Sequence, residues 1–537
     1  MRTQRMKKFF IFGVSLLLIH AGIQAQSGRP PMMGWSSWNT FRVNISEDII
    51  KGSADALIEK GLDKVGYRYI NIDDGFFGGR DENGHLLAHP ERFPNGMKVV
   101  SDYIHSKGLK AGIYSDAGSN TCGSIWDNDE FGIGVGLWGH QQQDINTFFK
   151  EWGFDFIKVD FCGGDKLDQD PKERYTSIYE SIQATGRTDI RYNICRWAFP
   201  GTWAIKMADS WRILADITNN FYSVKSIINK NLYLGQYASS GHYNDMDMLE
   251  IDRGMSLEEE RTHFGIWCIM SSPLMIGCNM RTIRDESLEI IKNEEIIALN
   301  QDPLGMQAKV VAYSGAGIVL AKPLQEKWGT IRAIAMYNPS DSETTMKVAF
   351  KDLCLEGEVA IRDLWKHKDL GIFKNEYETK VPAHGVVMLK AEGQKWFAPI
   401  VYEGEYAFMN MFFEDGYYPE KNTRFVIEHQ GASGKHVVTG IGGAQDNWAE
   451  FRDVYSPEKQ DAVLRIFYCS KEKRFLDLSL NSKFLKTVDF KPSGGNDVFT
   501  YVDIPICLNK GENCIRFSNS KEIGPDIDKI ELIMKKR

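Results

Sequence analysis

The chain has 537 residues, 43% hydrophobic and 25% charged. A single hydrophobic core stops growing at roughly 250–300 residues, so two or three domains are expected. The 64 basic and 72 acidic side chains give a formal charge of -8 without a long basic run, which argues against nucleic acid and anionic membranes as partners.

At the N-terminus, MRTQRMKK, FFIFGVSLLLIHAGI and QAQ supply a basic region, an apolar stretch and the small residue Ala25 at a cleavage point. Residues 1–25 therefore read as a secretory signal peptide. The first cysteine is Cys122, which disfavours lipoprotein anchoring. No later segment reaches about 18 uninterrupted apolar residues, so the expected product is a soluble, secreted or periplasmic protein with no membrane contact after cleavage. Nine cysteines, an odd number at low density, are not a disulfide framework.

Over residues 26–307, eight strand candidates recur: MMGWSSW, YRYINIDD, LKAGIYSD, FDFIKVDF, IRYNIC, WRILADI, YNDMDML and SPLMIG. Helical segments lie between them. SEDIIKGSADALIEKG has Ser46 as N-cap, acids in its first turn, apolar Ile50, Ala54, Leu57 and Ile58, and Gly61 past its end. In SLEEERTHFGIWCIM, Ser256 and Glu259 have capping-box spacing. This alternation fits an α/β fold, a (β/α)8 TIM barrel; a doubly wound open sheet is the other solution, but no Gly-rich phosphate loop follows the first strand. The strand ends read IDD, YSD, KVD, CRW, LAD and DMD, and in a barrel such ends converge on the face that holds active sites.

Residues 308–393 change to alternating strands with turn signals such as NPSD, the pattern of a small antiparallel β-sandwich domain. Residues 394–400 read as a linker, and 401–537 as a second C-terminal β-sandwich of jelly-roll type. Cys507 and Cys514 flank a short turn there and are candidates to bridge.

FIKVDFCGGD puts Lys158, Asp160 and Cys162 on one face of the fourth strand candidate. Asp160 and Asp216, ending the fourth and sixth candidates, can both face the barrel mouth. Two carboxylates flanking a bond are what glycoside hydrolysis requires. Lys158 should keep Asp160 ionised, as an attacking group must be. Arg212 can bind either a sugar or Asp216. Metal chemistry is the competing reading of the DD and DMD pairs, but clustered His ligands are missing. The 12% aromatic content suits stacking on sugar rings as well as core packing.

MGWSSWNTF, YINIDDGFF, GIYSDAGSNTC, FIKVDFC, WRILADI, YNDMDMLEI and RTHFGIWCIMSSPLMIG resemble, in order, the motifs of glycoside hydrolase family 27, the α-galactosidase and α-N-acetylgalactosaminidase family. The resemblance implies a retaining, exo-acting α-galactosidase working without a cofactor on α-galactoside oligo- or polysaccharides. Asp160 would be its nucleophile and Asp216 its acid/base. It further implies that Asp73 and Asp74 accept from galactose O4 and O6, that Lys158 donates to neighbouring hydroxyls, and that Trp38, Tyr114 and Met248 line the pocket. Cys195 and Trp197 would approach the 2-substituent, and Cys122 would bridge to Cys162. Arg196 departs from the family pattern, which has Glu between the Cys and the Trp. α-N-Acetylgalactosaminidase, β-L-arabinopyranosidase and a non-catalytic sugar-binding protein are the alternatives. The tail from Val401 resembles carbohydrate-binding modules of families 6 and 35, which implies a structural calcium at Glu403, Glu405 and Asp528 and makes Trp448 a candidate stacking platform.

Overall fold

The computed structural model describes residues 28–534 apart from 328, 417–420 and 424, so the expected signal peptide lies outside the described residues. Seven of the eight strand candidates contain one strand of a curled parallel sheet, and the remaining one, WRILADI, overlaps a strand that starts one residue earlier. They are β1 Met33–Ser36, β2 Tyr69–Ile72, β3 Lys110–Asp116, β4 Phe156–Asp160, β5 Arg191–Ile194, β6 Ser210–Arg212, β7 Tyr243–Asp245 and β8 Leu274–Ile276. Their spatial order is β8-β1-β2-β3-β4-β5-β6-β7. Leu249, just beyond β7, forms a parallel bridge with Ile276, and its N–H donates to the Met275 carbonyl at 2.7 Å, joining the two edges of the curl. The strands are short and buried almost throughout, as parallel strands covered by helices must be.

Helix α1, Glu47–Glu59, begins where the sequence predicts: the Ser46 hydroxyl accepts the Ile49 N–H at 3.3 Å. Such a cap is worth about 1 kcal/mol. Its buried face carries Ile50, Ala54 and Leu57, and Gly61 closes it at φ +68°. A single helical turn, α2 Cys122–Trp126, follows β3. Helix α3, Leu257–Ile269, has the full capping box, with the Glu259 N–H donating to Ser256 Oγ and the Ser256 N–H to Glu259 Oε2. It is buried on nearly all sides because it lies between the barrel and the next domain, where Thr262 Oγ1 donates to the His384 carbonyl at 2.6 Å.

The middle region is a six-stranded antiparallel sheet running from Lys309–Ser314 at one edge to Lys368–Lys374 at the other. Thr344–Ala349 and Glu376–Val381 form a facing two-stranded sheet over Val319, Ile334, Met346 and Leu389. The tail packs two further antiparallel sheets face to face, one centred on Asp526–Met534 and Gln460–Ser470, the other on Trp448–Ser456 and Gly511–Ser518. Cys507 and Cys514 are not joined to each other.

Of the expected linker, residues 394–396 instead continue the strand Val386–Trp396, because Lys395 and Trp396 pair with Glu356 and Leu355, and the remaining connection between these two regions, 397–400, is tied at both ends. The Phe397 N–H donates to the Cys354 carbonyl at 3.1 Å and the Leu532 N–H to the Ile400 carbonyl at 2.7 Å. The tail also docks on the barrel through stacked rings. Phe412 stacks on Phe199 at 4.9 Å and on Tyr237 at 5.1 Å, and Phe408 lies tilted against Tyr237 at 5.1 Å. Each such pair adds about 0.5–1.5 kcal/mol beyond its buried area. Among the described residues no helix is long and apolar enough to cross a membrane.

Candidate active site

The C-terminal ends of the parallel strands open into a cavity of about 340 Å³. Asp73 follows β2, Tyr114 lies on β3, Lys158 and Asp160 end β4, and Trp197 follows β5; all four elements deliver side chains to this cavity, as do Trp38 and Asp216. Asp216 is not on its strand: β6 stops at Arg212, and the acid stands four residues further on, in the loop. That offset leaves its side chain 60% exposed at the mouth, whereas Asp160 is buried at the base.

The floor is an interlocked set of charges. Lys158 Nζ donates to Asp73 Oδ2 at 3.1 Å and lies 4.0 Å from Asp160 Oδ2, beside the Tyr114 ring. Burial pulls the Lys158 ammonium down, but Asp73, Cys195 and Asp160 more than offset it and the group stays cationic. For Asp160 the sequence expectation needs correcting. Burial outweighs the attraction of Lys158, Asp216 adds repulsion, and the carboxyl is pushed up to about 7. Its Oδ1 is buried with no hydrogen-bond partner.

The remaining predicted residues surround this cavity without all opening into it. Asp74 is fully buried; its Oδ1 accepts from Gly75 N–H and its Oδ2 from Gly123 N–H, and burial raises it to about 7. Cys195 lies beneath the floor, with Arg212 Nη1 at 3.6 Å from its sulfur. Arg212 binds the acids: one guanidinium nitrogen contacts Asp216 at 3.1 Å and Asp247 at 2.6 Å. Arg212 and Met248 line a smaller void of about 30 Å³ inside the barrel. Cys122 and Cys162 are disulfide-bonded and border the cavity, tying α2 to the turn after β4.

Sequence reasoning missed several neighbours. Asp116, at the end of β3, is buried and raised to about 8 by that burial and by Asp160; its Oδ1 accepts the N–H groups of Gly118 and Gly163, fixing the two loops that the disulfide joins. Arg42 reaches the cavity over the Trp38 ring while its guanidinium grips Asp127. Trp126, at the end of α2, lines the mouth and is 63% exposed. Gly416, from the tail, also lines it. Only the YSD strand end hinted at Asp116; nothing local marks the others. Arg196, the residue that departs from the family pattern, does not line the cavity but turns its side chain toward the tail.

In the tail, Ser433 stands between two of the predicted calcium ligands, its Oγ donating to Glu403 Oε2 at 2.5 Å and to Asp528 Oδ1 at 3.2 Å. Glu405 is raised to about 8 by burial, with Glu403 and Asp528 adding repulsion, and its buried Oε2 has no hydrogen-bond partner. Calcium takes oxygen donors, carboxylates among them, and the orphaned Oε2 is what a cation would satisfy. The compact trio of candidate ligand atoms among the described residues lies elsewhere, at Asp116, Cys122 and Cys162, where both sulfurs are already bonded to each other. Trp448 is no open platform: the Arg516 guanidinium sits 3.8 Å from its ring centre, and the Phe408 ring stacks at 5.7 Å.

Comparison with known proteins gives concordant matches. The family model described as alpha galactosidase A matches residues 30–302, and that of the alpha galactosidase C-terminal beta sandwich domain matches residues 314–391. Alpha-galactosidase 3 of Arabidopsis thaliana is 40% identical over 380 residues, covering 68% of this chain and 83% of its own. Alpha-galactosidase A of Cellvibrio japonicus is 36% identical over 416 residues, 72% of this chain and 99% of its own. The crystal structure of alpha-galactosidase I from Mortierella vinacea superposes with a TM-score of 0.62 at 33% identity, covering 68% of this chain and 98% of that one. Residues after 391 lie beyond both family models.

Proposed function

The chain belongs to glycoside hydrolase family 27, the family of α-galactosidases, and from that membership we propose that it is a retaining, exo-acting α-galactosidase that releases terminal α-linked D-galactose from oligosaccharides or polysaccharide side chains. The observation that carries the assignment is the contrast between its two cavity acids. Asp160 holds a buried, unpartnered oxygen at the base, and Asp216 stands exposed at the mouth.

Asp160 attacks the anomeric carbon while Asp216 protonates the departing glycosidic oxygen, leaving the sugar bonded to Asp160. Water then enters at the open side. Asp216 takes its proton, the oxygen attacks the same carbon, and the bond to Asp160 breaks with net retention. Arg212, bonded to Asp216 and Asp247, steers the acid without entering the cavity. Asp73, paired with Lys158, offers a charged acceptor to the axial hydroxyl of galactose; an equatorial hydroxyl would leave that acceptor unpaired. Asp74 acts mainly by anchoring α2 through the Gly123 N–H.

The N-terminal segment supports export to an oxidising compartment, where the Cys122–Cys162 bond persists. Glu403, Glu405 and Asp528 would hold a calcium ion, which would supply charge compensation to the tail and no chemistry to the cavity. The decisive assay compares the p-nitrophenyl glycosides of α-galactose, α-N-acetylgalactosamine and β-L-arabinopyranose, recording the product anomer by NMR. Preferential hydrolysis of the first with release of the α-anomer is expected; an inverted product would refute the double displacement.

A further inference from the structure

Arg196 stands between Cys195 and Trp197, in the chain segment that forms the edge of the cavity, yet its side chain is buried and points out of the barrel. Nη1 donates to the Glu414 carbonyl at 3.0 Å, Nη2 meets Asp415 Oδ2 at 3.1 Å, and the guanidinium carbon lies 5.6 Å from the centre of the Phe161 ring. The same tail segment is held twice more: the Glu414 N–H donates to the Phe199 carbonyl at 2.9 Å, and Lys230 bonds the Glu414 carboxylate. A buried two-point contact between a guanidinium and its acceptors is geometrically specific in a way that a lysine cannot reproduce.

The next tail residue reaches the cavity itself. Gly416 lines it beside Trp197, Ala215 and Asp216. A Cβ at 416 would lie 2.8 Å from the Arg196 carbonyl oxygen and 3.3 Å from Trp197 Cβ, so glycine is what permits this approach. Trp197 is itself held at φ +61°, a conformation that bulky side chains adopt only where surrounding structure enforces it. The tail segment supplies such an enforcement by resting on the backbone of 196 and 197.

We propose that the tail β-sandwich completes the catalytic pocket: its Glu414–Gly416 segment, locked by Arg196, forms the wall along which the leaving group departs, and it makes the enzyme selective for short leaving groups over a polymer backbone. This rests on the galactosidase reading, because it is Asp216, which lines the same cavity as Gly416, that protonates the leaving group. Exposed Trp126 lines the same cavity and offers an aromatic face to a departing sugar ring. A short oligosaccharide has little chain to fit past the residues that line this cavity, whereas the backbone of a branched polymer must accommodate the tail segment and Trp126 together. Arg196 is here a positioning residue, acting through the segment it clamps.

The test uses the full-length protein and compares kcat/KM on a galactosyl oligosaccharide with that on a galactose-branched mannan, with p-nitrophenyl α-galactoside as the control for chemistry. Arg196→Met should raise the mannan-to-oligosaccharide ratio at least fivefold. Gly416→Ala, which forces the segment away while the ring stack at Phe199 and Tyr237 remains, should shift the ratio the same way, and Arg196→Lys should fall between. A merely structural Arg196 would lower all rates in parallel; an unchanged ratio in folded Arg196→Met and Gly416→Ala overturns the proposal. Hydrogen exchange at residues 409–416, read without substrate, should rise in Arg196→Met, and protection equal to wild type also overturns it. Absence of α-galactoside turnover in the wild type would instead refute the galactosidase reading, and the exchange measurement would still decide whether Arg196 holds this segment.

Discussion

Two clusters of acids, largely buried, one at the barrel mouth and one in the tail, solve the same electrostatic problem differently. At the mouth, Asp73 and Asp160 share Lys158, while Asp216 and Asp247 share Arg212. In the tail, Glu403 and Asp528 share the Ser433 hydroxyl and the attraction of Lys529, and Glu405 keeps an unpartnered oxygen. Buried charge must be compensated or neutralised. The mouth carries its cations in the sequence, which limit but do not cancel the rise of Asp160 to about 7; in the tail Lys529 attracts Glu403 and Asp528 while Glu405 still rises to about 8, where a proton or an ion would compensate it.

The largest test of the mouth is removal of its attacking group. Asp160→Ala should lower kcat by roughly 10⁴–10⁶ on every α-galactoside, the range seen when a covalent nucleophile or its partner is deleted, while galactose binding, measured calorimetrically, persists. Asp216→Ala should cost roughly 10²–10⁴, the usual worth of general acid/base catalysis, and less with p-nitrophenol, which leaves without help, than with a sugar. Equal losses on the two leaving groups would contradict the acid assignment.

A third prediction separates Lys158 from burial. With Asp160 raised to about 7, kcat/KM should climb with pH to a midpoint near 7, shared with Asp74 and Asp116 as an interacting set. A carboxyl whose folded pKa is raised contributes stability fully below its unfolded value near 4 and loses that contribution as pH rises through 7. Asp160→Asn should therefore raise Tm more at pH 8 than at pH 4. A midpoint below 5 would mean that the ammonium wins after all.

The smallest expected effect probes the tail. Millimolar calcium after chelator treatment should raise Tm by a few degrees, growing from pH 6 to pH 8.5 as Glu405, held near 8, gives up its proton. Glu405→Gln should abolish the increment, and a calcium response surviving that substitution would place the ion elsewhere.

The barrel was legible because its signals are local. A strand has a period of two and ends in a polar residue, so the eight apolar runs announced eight strands, and Asp160 stood at the end of one. The caps at Ser46 and Ser256 were readable for the same reason, since both partners lie within three residues. Asp216 was found but misplaced, because the hydrophobic run continues past Arg212 after pairing with β7 has stopped. The electrostatic balance at Asp160 was not legible: spacing reports which charges are neighbours, while desolvation depends on everything packed above them. Gly416 is 256 positions from Asp160 in sequence (416 less 160), and no period or motif connects them. Arg196 was noticed only as a misfit, and its partner lies 219 residues away.

The connection at residues 397–400 sets a further limit on the tail. Four residues span at most about 14 Å, and these are hydrogen-bonded to both neighbours. A sugar-binding appendage on a long flexible tether raises the local concentration of substrate by sweeping the volume around its enzyme. The tail here, joined by so short a connection, has no such sweep. On the selectivity proposed above, any polysaccharide meeting the tail would be presented at one fixed angle to the cavity rather than sought out.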